Sequence, residues 1–298
     1  MDPLDIVLIV SSVAITGFVG FSLVMQYRYA TQLFDMLRFY PFLTLIPMIL
    51  WFLPAFVWPW PTTSLTTFWV CTIMATICLF LELFATWWKE EYSIDKFRDL
   101  MITISKERYS VITFDEYESG LINQEKVNVI LRHDVDISLP RTIKMAEVQA
   151  ELGIPATYFF RLHAEKYCFE EAVPVIKKLV DDGFKIGLHY ETLSVAKGDK
   201  KKAIELLGKD IEKLREIAPM GVVAAHGQKE YKNREIWENV DKEALQISSA
   251  YDVQSDMYLS DAGGKRLKDK KVLYRFNRLY EAKVGQIVQV LIHPDWWN

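Results

Sequence analysis

The sequence predicts an α/β barrel preceded by a helical membrane region, and three observations support this fold class. Up to about Trp88 the chain is almost free of charge and rich in large apolar side chains, whereas after Lys89 it has an ordinary soluble composition. In the second part, short apolar runs alternate with amphipathic helical patterns, which is typical of a parallel sheet with crossover helices. Four of the five histidines lie at predicted strand ends, and the C-terminal strand ends carry the chemistry of α/β barrels.

The membrane region is predicted to cover residues 1–90, with helices at about 4–25, 39–60 and 65–88. The first segment spans roughly 33 Å as a helix, enough for a bilayer core. It lacks a basic start and carries Asp2 and Asp5, so a cleaved signal peptide fits poorly. The second segment contains four prolines and either spans as a kinked helix or forms a re-entrant or interfacial segment. The third ends in Trp87, Trp88 and Lys89, an interfacial anchor.

The distribution of basic residues predicts the orientation of this region. Arg28 and Arg38 lie between the first two segments, and the link at 59–64 has no basic residue. The positive-inside rule then places the soluble domain, residues 91–298, in the cytoplasm. If the second segment does not span, the domain lies on the opposite side. The net charge of −4 and the pI of about 5.8 provide no basic field for nucleic acid.

The soluble part begins with a helix and leads to one apolar strand. Residues 93–108 have apolar side chains at helical spacing, with Ser93 as N-cap. Residues 109–121 are interpreted as a mixed linker, and 127–136 as a buried strand. A helix follows over 138–152, with Pro140 in its first turn and Gly153 just beyond its end.

The same alternation continues to the end of the sequence. Apolar runs predict strands at 156–161, 184–189, 221–225, 246–250 and 286–292. Amphipathic patterns predict helices at 169–182, 200–217 and 233–240, and residues 258–264 are interpreted as a loop. His189, His226 and His293 each end or follow one of these strands, whereas His163 lies beyond its strand and is interpreted as structural.

The stretch VNVILRHDVD, residues 127–136, is the centre of this pattern. Strand alternation places Asp134 and Asp136 on one face and His133 on the other. Two neighbouring carboxylates repel each other, so one binds a proton or both bind a cation. The alternative is a surface turn in which Asp136 or Ser138 caps the next helix.

Six stretches together resemble the polysaccharide deacetylase superfamily, in the branch whose first motif is HDVD. They are LRHDVD (131–136), LGIPATYFFR (152–161), GFKIGLHYETLS (183–194), AHG (225–227), YLSDAGG (258–264) and LIHPDWW (291–297). The resemblance covers about residues 127–298 and implies a distorted (β/α) barrel of about seven strands. The membrane segments lie outside it.

The resemblance also implies a set of site residues. A divalent metal, usually zinc, would be held by an Asp and two His and would activate water for attack on an N-acetyl carbonyl. Asp134 matches the general base, Asp136 the metal aspartate, His189 the first metal histidine and His293 the general acid. The second metal histidine of the family motif is Leu193 here, and the family's arginine motif is replaced by AHGQ.

The third metal ligand must therefore come from elsewhere. His226 is the best candidate, and Glu191 is either an alternative ligand or a residue that orients His189 without binding the metal. His133 and Asp261 are two further candidates, each as an alternative metal ligand or as a residue that orients a ligand.

The expected function is a membrane-anchored, metal-dependent hydrolase that removes an acyl group, expected to be N-acetyl, from a carbohydrate. Its substrate would be an N-acetylated sugar or a glycolipid. One alternative is an inactive barrel that binds glycans, and another is a membrane interaction protein that carries the barrel as cargo. Trp296 and Trp297 either stack on a sugar or pack on the barrel.

Overall fold

The computed structural model describes residues 92–228, 230–261 and 276–297. The chain divides into two compact units, residues 1–88 and 89–298, and all of the described residues belong to the second. The predicted membrane segments at 4–25, 39–60 and 65–88 lie outside the described residues. Within the described part of the chain, no helix is long and apolar enough to cross a membrane.

The described residues form eight strands with helices between them. The strands are β1 (Tyr109–Ile112), β2 (Val127–Val135), β3 (Thr157–Phe160), β4 (Lys185–Tyr190), β5 (Val222–Ala225), β6 (Ser248–Ser249), β7 (Met257–Ser260) and β8 (Ile287–Ile292). The α-helices are α1 (Ile94–Ile104), α2 (Phe114–Glu118), α3 (Leu139–Glu151), α4 (Phe169–Asp181), α5 (Thr192–Val195), α6 (Lys200–Arg215) and α7 (Lys242–Leu245). Short 3₁₀ helices cover Asn233–Asn239, Arg278–Glu281 and Pro294–Trp296.

The strands form one parallel sheet with β2 at its centre. The order is β6-β5-β4-β3-β2-β8-β7, with β1 beside β2. The first half of β2 pairs with β1 and the second half with β3, while β8 runs along its other side. All nine residues of β2 are buried, which explains its near-continuous apolar sequence.

The sheet curls, so that strands far apart in its order meet in one interior. Ile130 of β2, Phe159 of β3, Val222 of β5 and Ile287 of β8 belong to a single core cluster. The Gln289 side chain of β8 donates to the Ala250 carbonyl just after β6, at 3.0 Å. Among the described residues no strand pairing joins β6 to β7. The fold is therefore a distorted (β/α) barrel that is open at this point.

A close approach inside the barrel depends on Gly187 of β4. A Cβ atom at this position would lie 2.5 Å from two ring atoms of Phe159 and 3.0 Å from the Val222 carbonyl oxygen. The missing side chain therefore makes room for the Phe159 ring, which is fully buried.

Two of the predictions for individual elements are wrong. The expected linker at 109–121 contains β1 and α2, and the expected loop at 258–264 begins inside β7. Each of these strands has only four residues, and each becomes regular by pairing with a strand distant in sequence. The other predicted strands are present, with ends shifted by one or two residues.

Candidate metal centre

The C-terminal ends of β2, β4 and β5 bring two carboxylates and two imidazoles together. His189 Nε2 lies 3.4 Å from Asp134 Oδ2 and 3.5 Å from Asp136 Oδ1. His226 Nδ1 lies 3.2 Å from His189 Nε2 and 3.2 Å from Asp136 Oδ1. Both carboxylates therefore lie on the same side of the strand, as its alternation predicts.

The tautomer of His189 is fixed by the neighbouring strand. Its Nδ1 lies 3.0 Å from the carbonyl oxygen of Ala224, which can only accept a hydrogen bond. The proton is therefore on Nδ1, and Nε2 presents a lone pair to the cluster. Burial lowers the pKa of His189 to about 4, although Asp134 and Asp136 oppose this shift. The ring is therefore neutral at neutral pH, the form that binds metals.

The backbone on either side of His226 is also fixed. Its N–H donates to the Tyr190 carbonyl at 2.8 Å, and its own carbonyl accepts from Asn233 Nδ2 at 2.9 Å. Asn233 also accepts from the Ser194 backbone N–H at 3.0 Å through its Oδ1. The loop after β5 is thus tied to the end of β4 and to α5.

Asp136, His189 and His226 have the arrangement of a metal site. Their candidate ligand atoms all lie within 4.8 Å of one another. Asp136 Oδ1 is buried and makes no hydrogen bond among the described residues, and its nearest imidazole nitrogen is Nδ1 of His226 at 3.2 Å. Burial opposes ionisation of Asp136, but the imidazoles of His226, His189 and His293 lower its pKa below the usual range. A carboxylate and two imidazoles suit catalytic zinc, so the residues present fit a divalent metal.

Asp134 is engaged by an arginine of its own strand. Arg132 Nε and Nη2 each donate to one oxygen of Asp134 at 2.7 Å, and both side chains are buried. Burial opposes ionisation, but Arg132 and His189 hold the pKa of Asp134 below its usual value. The Arg132 guanidinium also lies over the rings of Phe159 and Tyr251. Asp134 is therefore ionised and held in one orientation.

His293, just after β8, is paired with Asp261, just after β7. His293 Nδ1 lies 2.6 Å from Asp261 Oδ1, and its backbone N–H donates to Oδ2 at 2.7 Å. Burial opposes protonation, but the charge and hydrogen bond of Asp261 raise the pKa of His293 to about 9. His293 therefore carries a proton at neutral pH. Asp261 supports it and is not among the clustered candidate ligands.

Glu191 lies beside the cluster but pairs with Arg161. Arg161 Nε donates to Glu191 Oε1 at 2.9 Å, and Arg161 Nη2 also contacts Oε2. The same guanidinium reaches the carbonyl oxygen of Asp136 at 3.4 Å. Arg161 therefore joins Glu191 to the backbone of Asp136. Arg161 was not among the site residues predicted from the sequence.

His133 is separate from the cluster, on the opposite face of β2. Its ring lies 4.6 Å from that of Tyr158 and 6.1 Å from that of Phe97 of α1, measured between centroids. Burial lowers its pKa to about 4. His163, interpreted as structural, contacts both carboxylate oxygens of Asp210 at 3.0 and 2.9 Å.

The two tryptophans differ in burial, and Trp296 is half-buried. Trp297 is buried and packs edge-on against Tyr92 and Phe97, with ring centroids 5.2 and 5.8 Å away. Its indole N–H donates to Asp261 Oδ2 at 3.3 Å. Trp297 therefore packs on the barrel and supports the partner of His293, which excludes sugar stacking for this side chain.

Three residues near the site were missed from the sequence. Arg132 could have been found from strand alternation, because it shares a face with Asp134 two residues later. Arg161 and Asp295 carried no such signal, because each contacts a segment distant in sequence.

Comparison with known proteins gives only weak similarities of fold. Neither a family model nor a curated protein matches the sequence. A family 4 carbohydrate esterase from Streptococcus mutans is 17% identical with a TM-score of 0.44, over 62% of this chain and 80% of that one. A family 4 pseudoenzyme from Bacillus anthracis is 18% identical with a TM-score of 0.39, over 58% and 56%. The match thus spans less than two thirds of the pseudoenzyme. With identities and TM-scores this low, these similarities assign no activity to this chain.

Proposed function

We propose that this protein is a membrane-anchored, metal-dependent hydrolase that removes an N-acetyl group from a carbohydrate or glycolipid. The observation that carries the proposal is the meeting of Asp136, His189 and His226 beside an ionised Asp134. Metal ligands, a carboxylate and a protonated histidine are the groups that amide hydrolysis requires. The membrane anchor rests on the apolar segments before residue 90 and the glycan substrate on the sequence motifs.

The chain's own residues divide the reaction between them. Asp136, His189 and His226 would hold the ion, which, when bound, lowers the pKa of a water molecule and polarises the acyl oxygen. Asp134 accepts the proton of the attacking water at a carboxylate oxygen. Asp261 raises the pKa of His293 to about 9 in the metal-free protein, so this ring carries a proton. It donates that proton to the departing amine. Asp261 keeps the Nδ1 side of that ring engaged, so the Nε2 proton is the one available for transfer.

Metal content and product release test this proposal together. The purified full chain should retain about one equivalent of zinc and release acetate from at least one member of a panel of N-acetylated sugars and glycolipids. Chelation should stop the release, and added zinc should restore it. A protein that binds no divalent metal would refute the proposal.

A glycan-binding barrel without turnover is the second candidate, and one observation favours it. The two hydrogen bonds from Arg132 lower the proton affinity of Asp134, which makes this carboxylate a weaker base. Binding of N-acetylated glycans by zinc-loaded protein that releases no acetate would establish this candidate instead.

A further inference from the structure

The carboxylate of Asp295 accepts hydrogen bonds from three consecutive backbone N–H groups, the first of which belongs to Asp136. The N–H of Asp136 donates to Oδ2 at 3.1 Å. The N–H groups of Ile137 and Ser138 donate to Oδ1 at 3.1 and 2.5 Å. Asp295 is only 4% exposed, so the segment 136–138 is bound to a buried anion.

Neither β2 nor the N-cap of α3 provides another acceptor for these N–H groups. β2 ends at Val135, so strand pairing no longer fixes the backbone of Asp136. Ser138 occupies the N-cap position of α3, but its side chain makes no capping hydrogen bond. Successive N–H groups of this kind can bind an anion together, and the N–H of Ser138, which is buried, would cost free energy without an acceptor. The required anion comes from a residue 159 positions away.

Asp295 is itself held by the helix that follows the segment it binds. Arg141 in the first turn of α3 donates to the backbone carbonyl of Asp295. The 3₁₀ helix Pro294–Trp296 therefore contacts the segment 136–138 through the Asp295 carboxylate and the first turn of α3 through Arg141. This leaves the backbone of Asp136 little freedom to turn.

We propose that Asp295 is a positioning residue that fixes the backbone of Asp136 and so directs its carboxylate toward His189 and His226. The inference rests on the proposed function to the extent that Asp136 is taken as a metal ligand. Partners outside the ligand set orient ligands in this way, and their loss weakens metal affinity by about 10- to 100-fold.

The test is Asp295→Asn in the full chain, with Zn²⁺ affinity measured by competition with a chromophoric chelator. The amide retains one acceptor oxygen but places an NH₂ group where the second oxygen accepted an N–H. We expect Zn²⁺ to bind at least about 10-fold more weakly. The matched control is Asp199→Asn, which removes the carboxylate that accepts from the Lys202 N–H at 3.1 Å at the start of α6, away from the site. Its Zn²⁺ affinity should equal that of the wild type.

Hydrogen exchange gives a second readout that needs neither metal nor activity. In the wild type, the amides of 136–138 should be protected as strongly as those of β2, although they lie outside the strand. In Asp295→Asn they should exchange faster, while the β2 amides remain protected. If the variant does not fold, exchange in the wild type decides: rates typical of an exposed loop would refute the inference, and strand-like protection would support it.

The outcomes separate this inference from the proposed function. Unchanged Zn²⁺ affinity in a folded Asp295→Asn variant would overturn the positioning role and leave the hydrolase proposal intact. A wild type that binds no Zn²⁺ would overturn the hydrolase proposal. In that case, faster exchange of 136–138 in the variant would still support the role of Asp295 in fixing Asp136, and unchanged exchange would refute it.

Discussion

At the end of β2, neighbouring residues have different roles because their side chains contact different partners. His133, Asp134 and Asp136 lie within four positions of one another. His133 packs between Phe97 and Tyr158, Asp134 pairs with Arg132, and Asp136 joins the candidate metal ligands. Because alternate side chains of a strand face opposite sides, the identity of a residue alone does not determine its role.

Substitution of Asp134 should separate proton transfer from metal binding. In Asp134→Asn we expect turnover to fall by about 10²–10⁴, the usual contribution of a positioned base, with zinc content unchanged. His189→Ala should instead lose zinc and turnover together, because the imidazole supplies a ligand. Metal analysis of both purified variants, beside acetate release, makes the comparison.

The Asp134 variant needs a stability measurement as its control. Removing one partner of a buried ion pair costs about 3–5 kcal/mol, because Arg132 is left without its counter-charge. Denaturant unfolding will show whether the assay temperature leaves the variant folded. Zinc loss in a folded Asp134→Asn protein would make Asp134 a ligand and reverse the roles assigned to the two aspartates.

The pH profile of turnover should report the pKa of His293. Asp261 raises the pKa of His293 above that of an ordinary histidine, to about 9 in the metal-free protein, so turnover should fall as the pH rises through this raised pKa. In Asp261→Asn, the loss of the negative charge should move this alkaline limb to lower pH, because burial then opposes the charge of His293 with less compensation. Steady-state rates of acetate release between pH 6 and pH 10 test this.

Asp210→Asn is the matched control for that profile. It removes the carboxylate paired with His163, another histidine–aspartate contact, and it should leave the alkaline limb in place. Equal shifts in the two variants would contradict a specific role for Asp261.

At the scale of elements, β2 organises the barrel because it has three neighbours. β1 and β3 share one side of it and β8 covers the other. The end of β2 is therefore held by β3 and β8, and the side chains that follow it emerge from a fixed base.

The close contact at Gly187 of β4 should make this strand intolerant of even a methyl group. Gly187→Ala places a Cβ 2.5 Å from Phe159 ring atoms, and we expect a loss of about 1–3 kcal/mol in the free energy of unfolding. Gly208→Ala in α6, where the nearest heavy atom to the new Cβ is 3.9 Å away, should gain up to about 1 kcal/mol. Chemical denaturation of both variants measures the change in the free energy of unfolding. Equal changes in the two variants would contradict the packing argument.

The positions of the site residues at strand ends could be predicted from the sequence. The contacts between segments distant in sequence could not. Strand ends are visible in the sequence as breaks in apolar runs. This located five site residues: Asp134, Asp136, His189, His226 and His293. Their roles as base, ligands and acid stay predictions. The contacts of Arg161 and Asp295 depend on which strands become neighbours, and no local pattern encodes that. β1 was missed for the same reason, since its regular structure depends on pairing with β2.

At the scale of the whole molecule, the predicted membrane topology can be tested with reporter fusions. Arg28 and Arg38, set against the uncharged link at 59–64, predict three spans with the barrel in the cytoplasm. Fusions after residues 62 and 92 should therefore report opposite sides of the membrane. Reports from the same side would mean that the second segment does not span, and the barrel would then belong outside the cytoplasm.

The pairing of β2 with β8 also has a consequence for how the protein folds. Asp136 and Asp295, which meet at the end of this pair, are 159 residues apart in sequence. Closing so long a loop is entropically costly, and sheets built from such distant contacts form slowly. During refolding, the halves of the site carrying Asp136 and His293 should therefore remain apart until a late step. Because Asp295 from the β8 side fixes the backbone of Asp136, the full metal affinity should then appear only with the slowest phase, after most of the helical signal has recovered.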